Sequence, residues 1–190
     1  NKITDTAGNA LASIGDALTV TLTNDTAAPT VSGVSSTAAD GTYKAGDVIP
    51  VTIQFSEAVT VTGTPTLTLE TGGTDRTASY ASGSGSNTLT FNYTVQSGDA
   101  TSDLGYTTTS ALALNGGTIK DVAGNAATLT LASPGTSGSL AYGKALVVDG
   151  VLPTITAQAA TAGTKTVTLT LSETATGAPS ASDFAVLTNS

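Results

Sequence analysis

Carboxylates and amides recur along this chain at fixed spacing. Asp5-Thr6-Ala7-Gly8-Asn9 returns as Asp121-Val122-Ala123-Gly124-Asn125, an offset of 121 − 5 = 116 residues. Val51-Thr52-Ile53-Gln54-Phe55-Ser56-Glu57 returns as Val167-Thr168-Leu169-Thr170-Leu171-Ser172-Glu173, and 167 − 51 is again 116. Asp25 stands four residues before Pro29-Thr30, and Asp149 stands four residues before Pro153-Thr154. Side chains of these types offer oxygen to a hard cation. Ca²⁺ takes six to eight oxygens, at about 2.3–2.6 Å, from carboxylates, amide oxygens and backbone carbonyls. The plainer reading of Asp-x-Ala-Gly-Asn is a tight turn, with Gly at positive φ and Asp capping it.

Other chemistries have little to work with. There is no Cys and no His, which removes disulfides, thiolate catalysis, Ser-His-Asp and Cys-His arrangements, and makes a zinc site improbable. Ser82-Gly83-Ser84-Gly85-Ser86 lacks the lysine and following helix of a phosphate-cradling loop and reads as a flexible hairpin loop. Paired acids could hydrolyse glycosides in a cleft, but here the acids sit between strands and aromatics are only 4% of residues. The expectation is that the chain is not an enzyme. Asn24-Asp25-Thr26 and Asn92-Tyr93-Thr94 match a glycosylation pattern that matters only in a eukaryotic secretory route.

Net charge is −8, from 14 acidic and 6 basic residues. That balance disfavours nucleic acid and anionic membranes as partners. It reflects either simple solubility or carboxylates gathered around a cation. Mean hydropathy is +0.17, yet apolar runs such as Ala145-Leu146-Val147-Val148 are far shorter than the roughly 20 residues of a spanning helix. No membrane insertion is expected.

The elements that must position these acids are strands. Thr, Val, Ser and Gly favour strands and turns, and apolar and polar residues alternate at period two. Strands are predicted at Thr30–Thr37, through Val51-Ile53-Phe55, at Val59–Val61 and Leu67–Leu69 around Gly63-Thr64-Pro65, and at Arg76–Tyr80. Others follow through Leu89-Phe91-Tyr93-Val95, before the turn at Asn115-Gly116-Gly117, and at Thr128–Leu131 and Lys144–Val148. With no convincing helix, this is an all-β chain of antiparallel β-sandwich modules in tandem. The prolines mark short, stiff linkers. Residues 1–28 read as the last strands of one module plus a linker, 29–152 as a complete module, and 153–190 as the first strands of a variant module. The variant lacks eight residues where the complete copy has Asp40-Gly41 to Asp47. The chain reads as a fragment of something longer.

Asp40-Gly41-Thr42-Tyr43-Lys44-Ala45-Gly46-Asp47, Phe55-Ser56-Glu57, Thr62-Gly63-Thr64-Pro65, Tyr80 to Ser86, Gly98-Asp99 and Asp121 to Asn125 carry a resemblance. They are similar to the bacterial immunoglobulin-like, or cadherin-like, tandem repeats of giant secreted calcium-dependent adhesins of the RTX type. The resemblance spans residues 29–150 and is weaker over 153–190. It implies an extender arm at the bacterial cell surface, outside the cell, for adhesion or biofilm formation, with Ca²⁺ stiffening the junctions. Its partners would be neighbouring modules of the same chain and other chains by strand or end contact. Asp103-Leu104 departs from the pattern, because Gly105 stands where many such repeats have a further Asp.

In an immunoglobulin-like sandwich the loops alternate between two ends. Glu57, the Ser82–Asn87 loop and Asp121–Asn125 then gather near Asp25. Asp40, Asp47, Glu70, Asp75, Asp99 and Asp103 collect at the opposite end, facing Asp149 and Glu173. The expected Ca²⁺ ligands are Asp25, Glu57, Asp121 and Asp149, followed by Asn125, Asp99, Asp103 and Glu173. Asp16, Asp75 and Asp183 read as solvated charges. The alternatives are a filament or surface-layer subunit, and a module that binds carbohydrate or ice.

Overall fold

The apolar phase that opens with Ile49 and the phase that runs from Leu89 to Val95 face each other across one ladder. The computed structural model describes Ala7, residues 24–161 and residues 166–174. In chain order its elements are β1 (Val31–Ser36), β2 (Gly41–Lys44), β3 (Val48–Thr62), β4 (Thr66–Glu70), β5 (Arg76–Ser82), β6 (Ser86–Thr94), β7 (Ala100–Thr101), β8 (Gly105–Tyr106), β9 (Leu112–Ala113), β10 (Thr118–Lys120), α1 (Leu140–Gly143), β11 (Leu146–Asp149), β12 (Ile155–Thr161) and β13 (Thr166–Leu171). Ile49 lies opposite Tyr93, Val51 opposite Phe91, and Ile53 opposite Leu89. All six are buried. Antiparallel partners on one face stand about 4.5–5.5 Å apart, so these pairs form the centre of the core.

The larger sheet runs β1-β3-β6-β5-β4-β8, with β10 on the far half of β3 and β9 on β4. The smaller sheet is β2-β11-β7. Its β11 runs parallel to β2 and antiparallel to β7. Leu146 and Val148 of β11 join the same buried cluster as Phe91, Leu104 and Tyr106. The result is the expected immunoglobulin-like β-sandwich.

Strand β3 bulges. Gln54 pairs with Thr88 but Val59 pairs with Ser86, so β3 advances five residues while β6 advances two. The surplus residues leave the ladder, which is what a bulge does, and they place Ser56 and Glu57 at a corner. The Ser56 amide donates to the Thr30 carbonyl (2.8 Å), and the Thr30 amide donates to Ser56 Oγ (3.1 Å). The corner is therefore sewn to the first residue after the Pro29 linker.

The β12–β13 hairpin repeats this pattern. Val31↔Phe55 and Gly33↔Gln54, with a register shift between them, correspond to Ile155↔Leu171 and Ala157↔Thr170 with the same shift. The Ser172 amide donates to the Thr154 carbonyl (2.8 Å), and the Thr154 amide donates to Ser172 Oγ (2.9 Å). The eight residues that this copy lacks are those forming β2 and its flanks.

Three expectations differ from the structure. Thr128–Leu131 is not a strand: Thr128 bridges Thr30, and Leu131 donates to the Thr109 carbonyl, so its bonds go singly to separate partners. A one-turn helix, α1, precedes β11 and buries Leu140. A single turn leaves too short a periodicity to read from sequence. Val59–Val61 belongs to β3, which the bulge carries past Phe55 without ending it. Asp5, Asn9, Asp16 and Asp183 lie outside the described residues, as do most of the predicted first segment and the end of the third.

Truncating the central pair tests the core. Phe91→Ala should cost about 3–5 kcal/mol, because it opens a cavity that β-sheet neighbours cannot fill. A urea unfolding curve checks this, with a lowered midpoint at unchanged slope as the expected outcome.

Candidate metal centre at the incoming linker

Asp25 is on the linker, Glu57 on the β3 bulge, and Asp121 on the loop after β10. One carboxylate oxygen from each lies within 4.8 Å of the others. Among the described residues this is the one such group of acids. Asp25 is exposed, Glu57 partly buried, and Asp121 only 4% exposed. The Glu57 carboxyl is held above the usual range, first by its removal from water and then by the Asp25 and Asp121 charges. Its neighbours thus oppose its ionisation, and a bound cation would relieve that opposition.

Asp121 is held the other way. Burial pushes its carboxyl up, but the Asn125 side chain and the Asn125, Gly124 and Ala123 amides outweigh burial and leave it below the usual range. The Asn125 amide donates to Asp121 Oδ1 (2.8 Å) and Asn125 Nδ2 to Asp121 Oδ2 (2.7 Å). The same Nδ2 donates to the carbonyls of Asp25 (3.1 Å) and Ala27 (3.2 Å). Asn125 turns its donor, not its oxygen, toward the group, and so ties the linker to the turn. Gly124 has φ +99°, the conformation that the phrase's glycine was expected to supply. Asp-x-Ala-Gly-Asn is a tight turn, and the turn sets the Asp121 carboxylate beside those of Asp25 and Glu57. The Ser82–Asn87 segment is a hairpin turn pinned to β3, because Gly85 donates to the Val59 carbonyl and Val61 donates to Ser84 Oγ.

The remaining acids are placed differently. Asp99 is 1% exposed. Its Oδ1 accepts from Arg76 Nε (2.7 Å), and its Oδ2 accepts from the Tyr93 hydroxyl (2.6 Å) and the Gln96 amide (2.9 Å). Burial raises its carboxyl, but Tyr93, Gln96 and Arg76 together outweigh burial and hold it below the usual range. Both oxygens face inward, which turns the residue away from the role of an exposed ligand. Asp103 is exposed in the loop between β7 and β8. Asp40 pairs with Lys144 (3.0 Å), and Asp47 Oδ2 accepts from the Lys44 amide (2.9 Å). Asp149 and Glu173 line a cleft of about 470 Å³ together with Lys44, Gly150 and Leu152. Asp149 Oδ1 accepts from the Val151 amide (3.2 Å), as Asp25 Oδ1 does from Ala27 (3.0 Å). Glu173 Oε1 is shielded from solvent with no hydrogen-bond partner.

Asp99 generates a test. Asp99→Ala should cost about 3 kcal/mol by leaving Arg76 and Tyr93 without their partner. Because the folded carboxyl lies below its unfolded value, its contribution is complete above about pH 4 and drains as pH falls through the folded value. The urea midpoints of the wild type and Asp99→Asn should therefore draw together as pH falls below about 4.

Residues 25–135 match the bacterial Ig-like domain family, and they make up more than half of the 190-residue chain. The match begins at the Asp25 linker, while the sandwich continues past it to β11. No curated protein and no solved structure matches the chain. Domains of this family are typically structural and not catalytic, and they occur in extracellular or surface proteins. No described helix is long and apolar enough to cross a membrane. With its sandwich fold and a match that takes in the linker, the β3 bulge and the Asp121 turn, the chain belongs to the family of bacterial Ig-like domains.

Proposed function

We propose that this chain is a spacer segment of a bacterial cell-surface adhesin, built from Ig-like modules in tandem and stiffened by Ca²⁺ at the junctions between them. The observation that carries this reading is the Asp25–Glu57–Asp121 group. It joins a linker, a strand corner and a turn, three parts of the chain that would otherwise repel. Oxygen donors of this kind suit Ca²⁺, and nearby carbonyls and water would complete its shell. The cation would fix the linker relative to the module that follows it.

The second junction supports the reading by its likeness to the first. Asp149 and Glu173 occupy the places of Asp25 and Glu57, with the same cap and the same Ser–Thr exchange of hydrogen bonds. Asp103 and Asn125 would contribute, at most, backbone or outer contacts, and Asp99 would act through its loop. In this reading 29–152 is the whole module, with partial modules on either side. Adhesion and biofilm formation are the roles that such a spacer would serve.

A second reading is favoured by one observation. Ile155, Val167 and Leu171 are 59%, 67% and 38% exposed, whereas Val51 and Phe55, the counterparts of Val167 and Leu171, are buried. In the spacer reading the remaining strands of the third module would cover this row, and in a filament or surface layer a neighbouring chain would. Sedimentation separates the two readings, since a filament subunit assembles as concentration rises and a spacer does not.

Calcium titration followed by calorimetry tests the main proposal. With Ca²⁺ about tenfold above a Kd on the order of 10⁻³ M, the gain is about 1.4 kcal/mol. That corresponds to a rise in Tm of roughly 4–7 °C for a module of this size. Glu57→Gln should lose most of the rise, and Asp103→Asn should keep it. An unchanged Tm with calcium and with chelator would rule the proposal out.

A further inference from the structure

The outgoing linker is held by bonds that involve no carboxylate cluster. The Gly150 amide donates to the Asp99 carbonyl (2.7 Å), and the Gly98 amide donates to the Gly150 carbonyl (3.0 Å). This exchange continues the ladder, in which Asp149 already pairs with Ala100. Gly150 is buried there. A Cβ at this position would stand 2.2 Å from the Gln96 carbonyl oxygen and 3.0 Å from that of Asp99. The glycine is required by space: any side chain would push the linker off the loop.

The loop that receives Gly150 is itself fixed. Asp99 is bonded at both oxygens, to Arg76 from β5, Tyr93 from β6 and the Gln96 amide. The Asp99 amide also donates to the Gln96 carbonyl (3.2 Å). Buried, charge-assisted bonds of this kind hold geometry firmly. The chain from β5 through β6 to residue 99 thus presents two backbone groups to the linker at set positions.

The incoming linker differs at the matching place. Aligning Asp25 with Asp149 and Pro29 with Pro153 sets Thr26 against Gly150. Thr26 carries a side chain where Gly150 carries none, and its linker is tied by Asn125 to the turn that follows β10. A threonine cannot approach a loop as closely as Gly150 does.

We propose that Gly150 and the Asp99 loop form a clamp that sets the direction of the outgoing linker without any cation. Gly150 is a positioning residue, and linkers with a larger residue at this place depend on other ties. The contrast with a cation-dependent incoming joint rests on the function proposed above. The clamp itself does not.

Amide hydrogen exchange on the 190-residue chain in chelator tests the clamp, whether or not calcium binds. The Gly150 and Gly98 amides should be protected at least about 100-fold over an unstructured chain. Adding calcium should raise their protection no more than it raises that of Ile53 and Phe91. Gly150→Ala should strip protection from Gly98 and residue 150 while leaving Ile53 and Phe91 as they were. The clamp is overturned if the wild-type Gly150 amide in chelator exchanges within about tenfold of an unstructured chain. It is also overturned if protection appears only with calcium, or if Gly150→Ala keeps it. The wild-type measurement decides the matter even if the variant folds poorly.

Discussion

Strand β3 connects the two ends of this molecule, and its pairing with β6 is the constraint on which both ends depend. From Val48 to Glu57 it covers roughly 30 Å, at about 3.3 Å per residue. At one end its start lies beside Thr94, next to the loop that holds Asp99. At the other end it bulges and delivers Glu57 to Asp25 and Asp121. The facing pairs Ile49–Tyr93, Val51–Phe91 and Ile53–Leu89 fix the register between them. A slip of one residue would turn this apolar set to solvent and move both ends together. With few aromatics available, the core has no alternative set of large side chains to take over.

The two ends handle acid in opposite ways. At the incoming linker three carboxylates face one another, and Glu57 resists ionisation. At the outgoing linker Asp99 is surrounded by donors and ionises readily. The first arrangement is left short of positive charge. The second is complete within the protein, since Arg76 supplies the charge and Tyr93 and Gln96 supply the remaining bonds. The first group joins three acids, whereas the second is satisfied by its own donors.

Much of this could be read before the structure. Period-two alternation identified β3 and β6, and the alternation of loops between two ends of a sandwich placed Asp25, Glu57 and Asp121 together. The fate of Asp99 was harder to see, because residue type does not reveal whether a carboxylate faces inward. A signal was present: Tyr93 lies on the apolar phase of β6, and a buried tyrosine hydroxyl needs a partner. Asn125 was hidden for another reason, since its amide can accept or donate and only the linker carbonyls decide which. The short pieces β2, β7, β8 and β10 and the helix α1 were missed because each is fixed by one or two tertiary bonds, not by a local pattern.

The parallel pairing of β2 with β11 bears on how such a module carries load. Leu146 to Asp149 run alongside Gly41 to Lys44 in the same direction. Tension applied at the two linkers would draw these strands past each other along their length. All of their hydrogen bonds would then share the force together, instead of opening one after another as in a peeled hairpin. Forced rupture is governed by the unfolding barrier and not by equilibrium stability, so four paired residues can matter mechanically beyond their number. The β12–β13 hairpin lacks the segment that forms β2. A module built on it would have to resist pulling by some other pair of strands, and an array of both kinds would yield in a set order.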